Sequence, residues 1–265
     1  MAASELLADF GLRLDGRKVG ELRKISCKLG VYGQADGSAY LEQGNTKILA
    51  AVYGPREPRQ RGGGDVPGVK INCQYSMAVF STSERKRRPR GDRKSQEISA
   101  HLRQTFEAAI KTELYPRSQI DIFIEVRDST MIFYTVFQVS LSLQVLQADG
   151  GNYCASVNAA TLALIDAGIP LKDYVTACTA GYIHDRVLVD VNNQESGGGS
   201  ELTMAILPKS GEIVLLEMAQ RFHVDHLPKV MDAAMLGCKD IHDILEKVVR
   251  KHLINVTTSS FAQDM

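Results

Sequence analysis

The sequence predicts an α+β fold in which mixed β-sheets pack against helices. Two observations carry this. β-favouring runs punctuated by turn residues are followed by a segment with helical spacing, and that order of strands then helices occurs twice along the chain. The composition suits a globular protein: 265 residues, 44% hydrophobic and 23% charged, enough for one substantial core or two closely joined halves.

The first strands lie between Lys24 and Val79, at Lys24–Leu29, Ser38–Gln43, Thr46–Tyr53 and Val69–Tyr75. Ala35-Asp36-Gly37, Gly44-Asn45 and Gly54-Pro55 separate them with residues that favour tight turns, so an antiparallel meander is expected. The segment Arg56–Gly68, with four Gly, two Pro and three Arg, reads as a solvated loop. Ser95–Leu114 places Ile98, Leu102, Phe106, Ala109 and Ile110 on one helical face, and Tyr115-Pro116 is the expected stop. Ile120–Val126 reads as a strand. Cys154–Ala167, opened by Gly150-Gly151-Asn152 and closed by Gly168-Ile169-Pro170, reads as a helix whose many alanines suit burial. Strands follow at Val175–Ile183, Leu188–Val191, Leu202–Leu207 and Ile213–Met218, then helices at Val224–Leu236 and Asp240–Leu253 and a polar tail over 254–265.

Lys+Arg and Asp+Glu both total 31, so net charge predicts no polyanion partner, and any nucleic-acid surface must come from local segregation of charge. Glu5 and Asp9 interrupt the apolar N-terminal residues and spoil the plan of a secretory signal, so no export is expected. Cys27, Cys73, Cys154, Cys178 and Cys238 are widely spaced, which signals neither a zinc site nor a disulfide framework; they read as reduced, mostly buried thiols of a nuclear or cytosolic protein.

Three segments carry chemistry. Arg85–Lys94 holds seven basic residues against one Asp, between a strand and a helix, and reads either as a phosphate-binding patch or as a solvated loop or nuclear-import signal. Arg59 and Arg61 add to the patch if the two loops converge. Asp149-Gly150-Gly151-Asn152-Tyr153 turns into a helix N-terminus, where backbone N–H groups favour an anion, although most such turns are structural only. Glu195-Ser196-Gly197-Gly198-Gly199-Ser200-Glu201 is a loop bracketed by carboxylates that could act as a base or hold a cation, or simply be solvated. His223 and His226 lack a partnering Glu or Cys nearby, so no metal role is assigned.

Long strings then carry a family resemblance: Arg13–Arg17, Gln34–Thr46, Asn72–Ser76, Leu102–Ile110 and Gln147–Gly151 resemble the ribonuclease PH family, in order and at consistent spacing, from about Leu6 to Leu253. Within that family they are most similar to the eukaryotic exosome core subunits that correspond to the catalytic archaeal ring subunit. The resemblance implies the ribonuclease PH fold as a single unit, with halves of about 20–170 and 171–253. It implies a hexameric ring with other ribonuclease PH-type subunits, S1/KH-type cap subunits, an associated hydrolytic nuclease and RNA threading a channel, in nucleus, nucleolus and cytoplasm. Arg93 and Lys94 fall where the family places channel-lining basic residues, with Arg87, Arg88 and Arg61 as further RNA contacts.

Active relatives degrade RNA by phosphorolysis, which needs a cation to seat inorganic phosphate and an acid beside the leaving oxygen. Where the active pattern follows Gly-Gly with Thr-Arg, this chain has Asn152 and Tyr153, and a neutral phenol offers no fixed charge or bidentate fork. The family's two aspartates fall near Glu195 and Glu201. The resemblance therefore implies a ring subunit that guides RNA for 3′-to-5′ processing and decay, including rRNA maturation and mRNA turnover, without cutting it and without a metal or cofactor. The alternative is an active phosphate-dependent 3′-to-5′ exoribonuclease using inorganic phosphate and releasing nucleoside diphosphates. One departure stands apart: relatives run directly from a strand like Ile120–Val126 into Leu146–Gly151, whereas this chain interposes Arg127–Val145, whose apolar β-favouring core invites aggregation and reads as a disruptive or artefactual insertion rather than an added strand.

Overall fold

The computed structural model describes residues 12–56, 69–77, 92–114, 118–125, 149–183, 185–221 and 223–263. Arg59, Arg61, Arg87, Arg88 and Arg127–Val145 lie outside the described residues.

The first sheet contains β1 (Ile25–Leu29), β2 (Gly37–Gln43), β3 (Thr46–Arg56), β4 (Lys70–Tyr75) and β5 (Gln119–Glu125), in the order β1-β2-β3-β5-β4. The expected meander holds for the first three strands and fails at the fourth. β5 pairs antiparallel with β3 and parallel with β4, and helix α1 (Arg93–Ala109) makes the crossover that a parallel pair requires. Burial explains the placement. Ile120 and Ile122 of β5 are fully buried and take the interior position, whereas Asn72 and Gln74 of β4 face solvent and suit an edge.

α1 buries Leu102, Thr105, Phe106 and Ala109. It stops earlier than expected because Ile110 turns extended (ψ 139°) and bridges to Leu171; a 3₁₀ turn at Thr112–Leu114 follows. α2 (Asn152–Asp166) is buried from Cys154 to Leu164 between the two sheets, as a helix without a polar face must be. Asn158 inside it exchanges hydrogen bonds with the backbone of Ala177, at 3.1 and 2.9 Å, so its buried amide is satisfied.

The second sheet is antiparallel, with β6 (Thr176–Ile183), β7 (Arg186–Val189), β8 (Ser200–Leu207) and β9 (Glu212–Met218) in the order β7-β6-β8-β9. A short helix, α3 (Asn193–Ser196), precedes β8. The two expected C-terminal helices form one helix, α4 (Leu227–Gln263), preceded by a 3₁₀ turn at Val224–His226, and most of the supposed tail is helical. Gly237 lies inside the continuous helix and allows close approach to the sheet: a Cβ there would lie 2.7 Å from Val189 Cγ1 and 2.9 Å from Cys178 Sγ. Val230, Ala234, Cys238, Ile241, Leu245 and Val249 form its buried stripe.

The main apolar core joins both sheets through α2, and a small separate cluster gathers Ile183, Leu188 and Val191. The five cysteines are free thiols, with Cys154, Cys178 and Cys238 buried. Among the described residues no helix is long and apolar enough to cross a membrane.

Candidate functional site

The Gly-Gly turn and the carboxylate loop, about forty residues apart in sequence, meet at the N-terminus of α2. Gly150 and Gly151 both adopt positive φ (79° and 61°), and a Cβ on Gly150 would lie 2.7–2.8 Å from the backbone of Val191, Asn192 and Asn193. The turn therefore rests directly on the segment that leads into α3.

Two buried ion pairs hold this junction. Arg23 donates to both carboxylate oxygens of Asp190 (3.0 and 2.7 Å), to the carbonyls of Asp149 (2.9 Å) and Gly150 (3.4 Å), and to Thr46 Oγ1 (3.2 Å). Burial pushes the Asp190 carboxyl upward, but the hydrogen bonds and charge of Arg23 outweigh it and hold the group below the usual carboxylate range. Arg13 grips Glu195 through Nε (2.7 Å) and Nη2, and donates to the carbonyls of Val189 (2.6 Å) and Asp190 (3.0 Å). Glu195 also closes a capping box on α3, accepting from the Asn192 N–H while Asn192 Oδ1 accepts from the Glu195 N–H, each at 3.0 Å.

Glu195 is therefore neither solvated, as one reading of the loop expected, nor available as a base or cation ligand, as the other did. It is fully buried with both oxygens occupied, so it serves structure. Glu201, at the start of β8, is half-buried and accepts a 2.5 Å hydrogen bond from Ser196 Oγ; it remains the reachable acid of the loop.

Tyr153 sits in the first turn of α2. Its hydroxyl lies 2.8 Å from Thr105 Oγ1 of α1, and its ring meets His101 edge-on with centroids 6.4 Å apart. Burial raises its pKa, so it stays a neutral phenol at any physiological pH. The cation beside the turn, Arg23, is committed to Asp190 and to carbonyls. Asn152 Oδ1 is buried without a hydrogen-bond partner among the described residues.

Arg93 and Lys94 open α1 and are exposed. They lie about two turns, roughly 12 Å along the axis, from His101. No acidic residue stands in that first turn and no side chain caps it, so two cations share the positive end of a helix dipole. Sequence reasoning missed Arg13, Arg23, Asp190, His101, Thr105 and Glu217. For Asp190 a signal existed, since an Asp within Leu188-Val189-Asp190-Val191 must find a partner once buried.

An α2 N-terminus built on a Gly-Gly turn, packed against an acidic loop between two sheets, defines the class. The chain belongs to the 3′ exoribonuclease family of ribonuclease PH-type proteins, matching its domain 1 over residues 21–170 and its domain 2 over residues 173–237. More particularly, it is 54% identical over 255 residues to the human "Exosome complex component RRP41", covering 96% of each chain, and 45% identical to the Arabidopsis thaliana homologue, covering 91% of this chain and 93% of the other. An archaeal relative, "Exosome complex component Rrp41" of Methanopyrus kandleri, is 42% identical over 89% of this chain and 91% of its own. Among solved structures the fold matches rice Rrp46, with a TM-score of 0.72, 22% identity and coverage of 89% and 99%. It also matches an Archaeoglobus fulgidus exosome chain, with a TM-score of 0.69, 20% identity and coverage of 88% and 92%.

Proposed function

We propose that this chain is a core subunit of an RNA exosome ring that helps guide RNA to an associated nuclease and does not itself cut it. The observation that carries the reading is Tyr153. A phenol bonded to Thr105 occupies the first turn of α2, and the guanidinium beside that turn is engaged by Asp190. Loss of such a charge anchor costs about 3–4 kcal/mol of transition-state stabilisation, or roughly a thousandfold in rate. Glu195 adds to the case because its oxygens are held by Arg13 and the α3 cap.

Assembly is supported by β9. It is an edge strand, and Ile213, Leu216 and Met218 on it are 42–50% exposed. Among the described residues no strand pairs with the outer side of β9, and an edge carrying exposed apolar side chains suits pairing with a neighbouring subunit of the same fold, here other ribonuclease PH-type chains in a hexameric ring beneath S1/KH-type cap subunits. RNA contact is assigned to Arg93 and Lys94, with Arg87, Arg88 and Arg61 as further contacts. The processes served are rRNA maturation and mRNA turnover, in nucleus, nucleolus and cytoplasm. No metal or cofactor is required.

A second reading rests on Glu201, whose half-exposed carboxylate could serve as the acid of phosphorolysis. One experiment separates the two. The reconstituted complex lacking its hydrolytic nuclease is given RNA and inorganic phosphate, and no nucleoside diphosphate is expected. Phosphate-dependent release that disappears in Glu201→Ala would overturn the non-catalytic reading.

A further inference from the structure

Tyr153 does more than lack a charge. Thr105 Oγ1 lies 2.8 Å from both the Tyr153 hydroxyl and the His101 carbonyl. A hydroxyl has one proton and a carbonyl only accepts, so Thr105 donates to His101 and Tyr153 donates to Thr105. The His101 ring then reaches on to β9, with Nδ1 3.5 Å from Glu217 Oε2. A residue of α2 thereby meets α1 and, through His101, β9. α1 otherwise rests chiefly on β4, the edge strand of its sheet, where the Tyr75 N–H donates to Ser99 Oγ at 3.0 Å. Beyond β4, the helix is held by its buried Leu102, Phe106 and Ala109 and by the Ile110–Leu171 bridge at its end, and the Tyr153–Thr105 bond adds a directional polar tie to that apolar anchor.

We propose that Tyr153 is a positioning residue for the RNA path: by hydrogen-bonding Thr105 and packing on His101 it fixes α1 against α2 and β9, so that Arg93 and Lys94 are presented at a set place. The proposal rests on the reading of the first turn of α1 as an RNA contact. Burial, which keeps the phenol protonated and therefore a donor, fits the role. The position that seats an anion in active relatives would here hold a strut for the RNA-guiding helix.

The test uses reconstituted complexes carrying Tyr153→Phe, Thr105→Val, both together, or Arg93→Ala with Lys94→Ala. Tyr153→Phe keeps the ring and removes only the donated bond, so assembly stays intact and the melting temperature falls by no more than about 2–4 °C. Amide hydrogen exchange in α1 should accelerate about fivefold, the scale of one neutral hydrogen bond, and RNA affinity should fall by up to about the same factor. The double variant should be no worse than Thr105→Val, because both substitutions break the same link. Unchanged exchange in α1, or full RNA affinity in Tyr153→Phe alongside weakened affinity in the Arg93/Lys94 variant, would overturn the proposal. Full affinity in the Arg93/Lys94 variant would instead overturn the RNA reading of α1, and the exchange rates would still decide whether Tyr153 holds the helix.

Discussion

Glu195→Ala separates the structural carboxylate from the reachable one. In the native fold Glu195 and Arg13 are fully or almost fully buried, with three further bonds tying Arg13 to the Val189 and Asp190 carbonyls and Glu195 to the Asn192 N–H. Removing the carboxylate strands a guanidinium in the interior, which costs about 3–5 kcal/mol, and loss of half the capping box adds about 0.5–1 kcal/mol. Against a total stability of about 5–15 kcal/mol this is a large fraction, and a melting temperature lowered by about 10 °C or more is expected. Arg13→Met combined with Glu195→Leu should recover most of the loss, because no charge is then left unpaired. Glu201→Gln, which perturbs only the bond from Ser196, should shift stability by less than about 1 kcal/mol. Urea and thermal unfolding of the four proteins measure these differences. A loss below about 1 kcal/mol for Glu195→Ala, or a larger loss for Glu201→Gln, would refute the division of roles.

Two more perturbations follow from the same geometry. The folded pKa of Asp190 is depressed, so its pairing with Arg23 stabilises the protein above the unfolded value near 3.8 and is lost as pH falls below it. Unfolding midpoints followed through that range should therefore show a steeper acid limb for the native chain than for Asp190→Asn, and parallel limbs would contradict the assignment. Gly37→Ala should destabilise by about 1–3 kcal/mol, because a Cβ on this β2 residue would overlap the backbone of Ala163 and Ala167 at the end of α2. Denaturant titration checks it, and a neutral effect would mean that the strand and helix can separate without cost.

Elements were legible wherever a local period marked them. Leu102, Phe106 and Ala109 declared the buried face of α1, and the alanines of α2 declared its burial. Partners were less legible. Nothing in the pattern of Lys70–Tyr75 reveals that β5, some forty-five residues later, takes the place beside β3, because period-two alternation defines a face and leaves the neighbour open. Gly237 shows the same limit, since a glycine that ends a helix and one that admits a close neighbour are written identically.

By itself the sequence determined the family, through long strings in register, and it set a neutral side chain, Tyr153, just after the Gly-Gly turn. Only the tertiary structure decided what each charged group does. Glu195 and Glu201 carry the same carboxylate and bracket the same loop, yet one is locked to Arg13 from the far end of the chain and the other is reachable. The physical reason is that burial and pairing are set by residues distant in sequence, and in a low-dielectric interior they govern the energy of a charge more than its identity does.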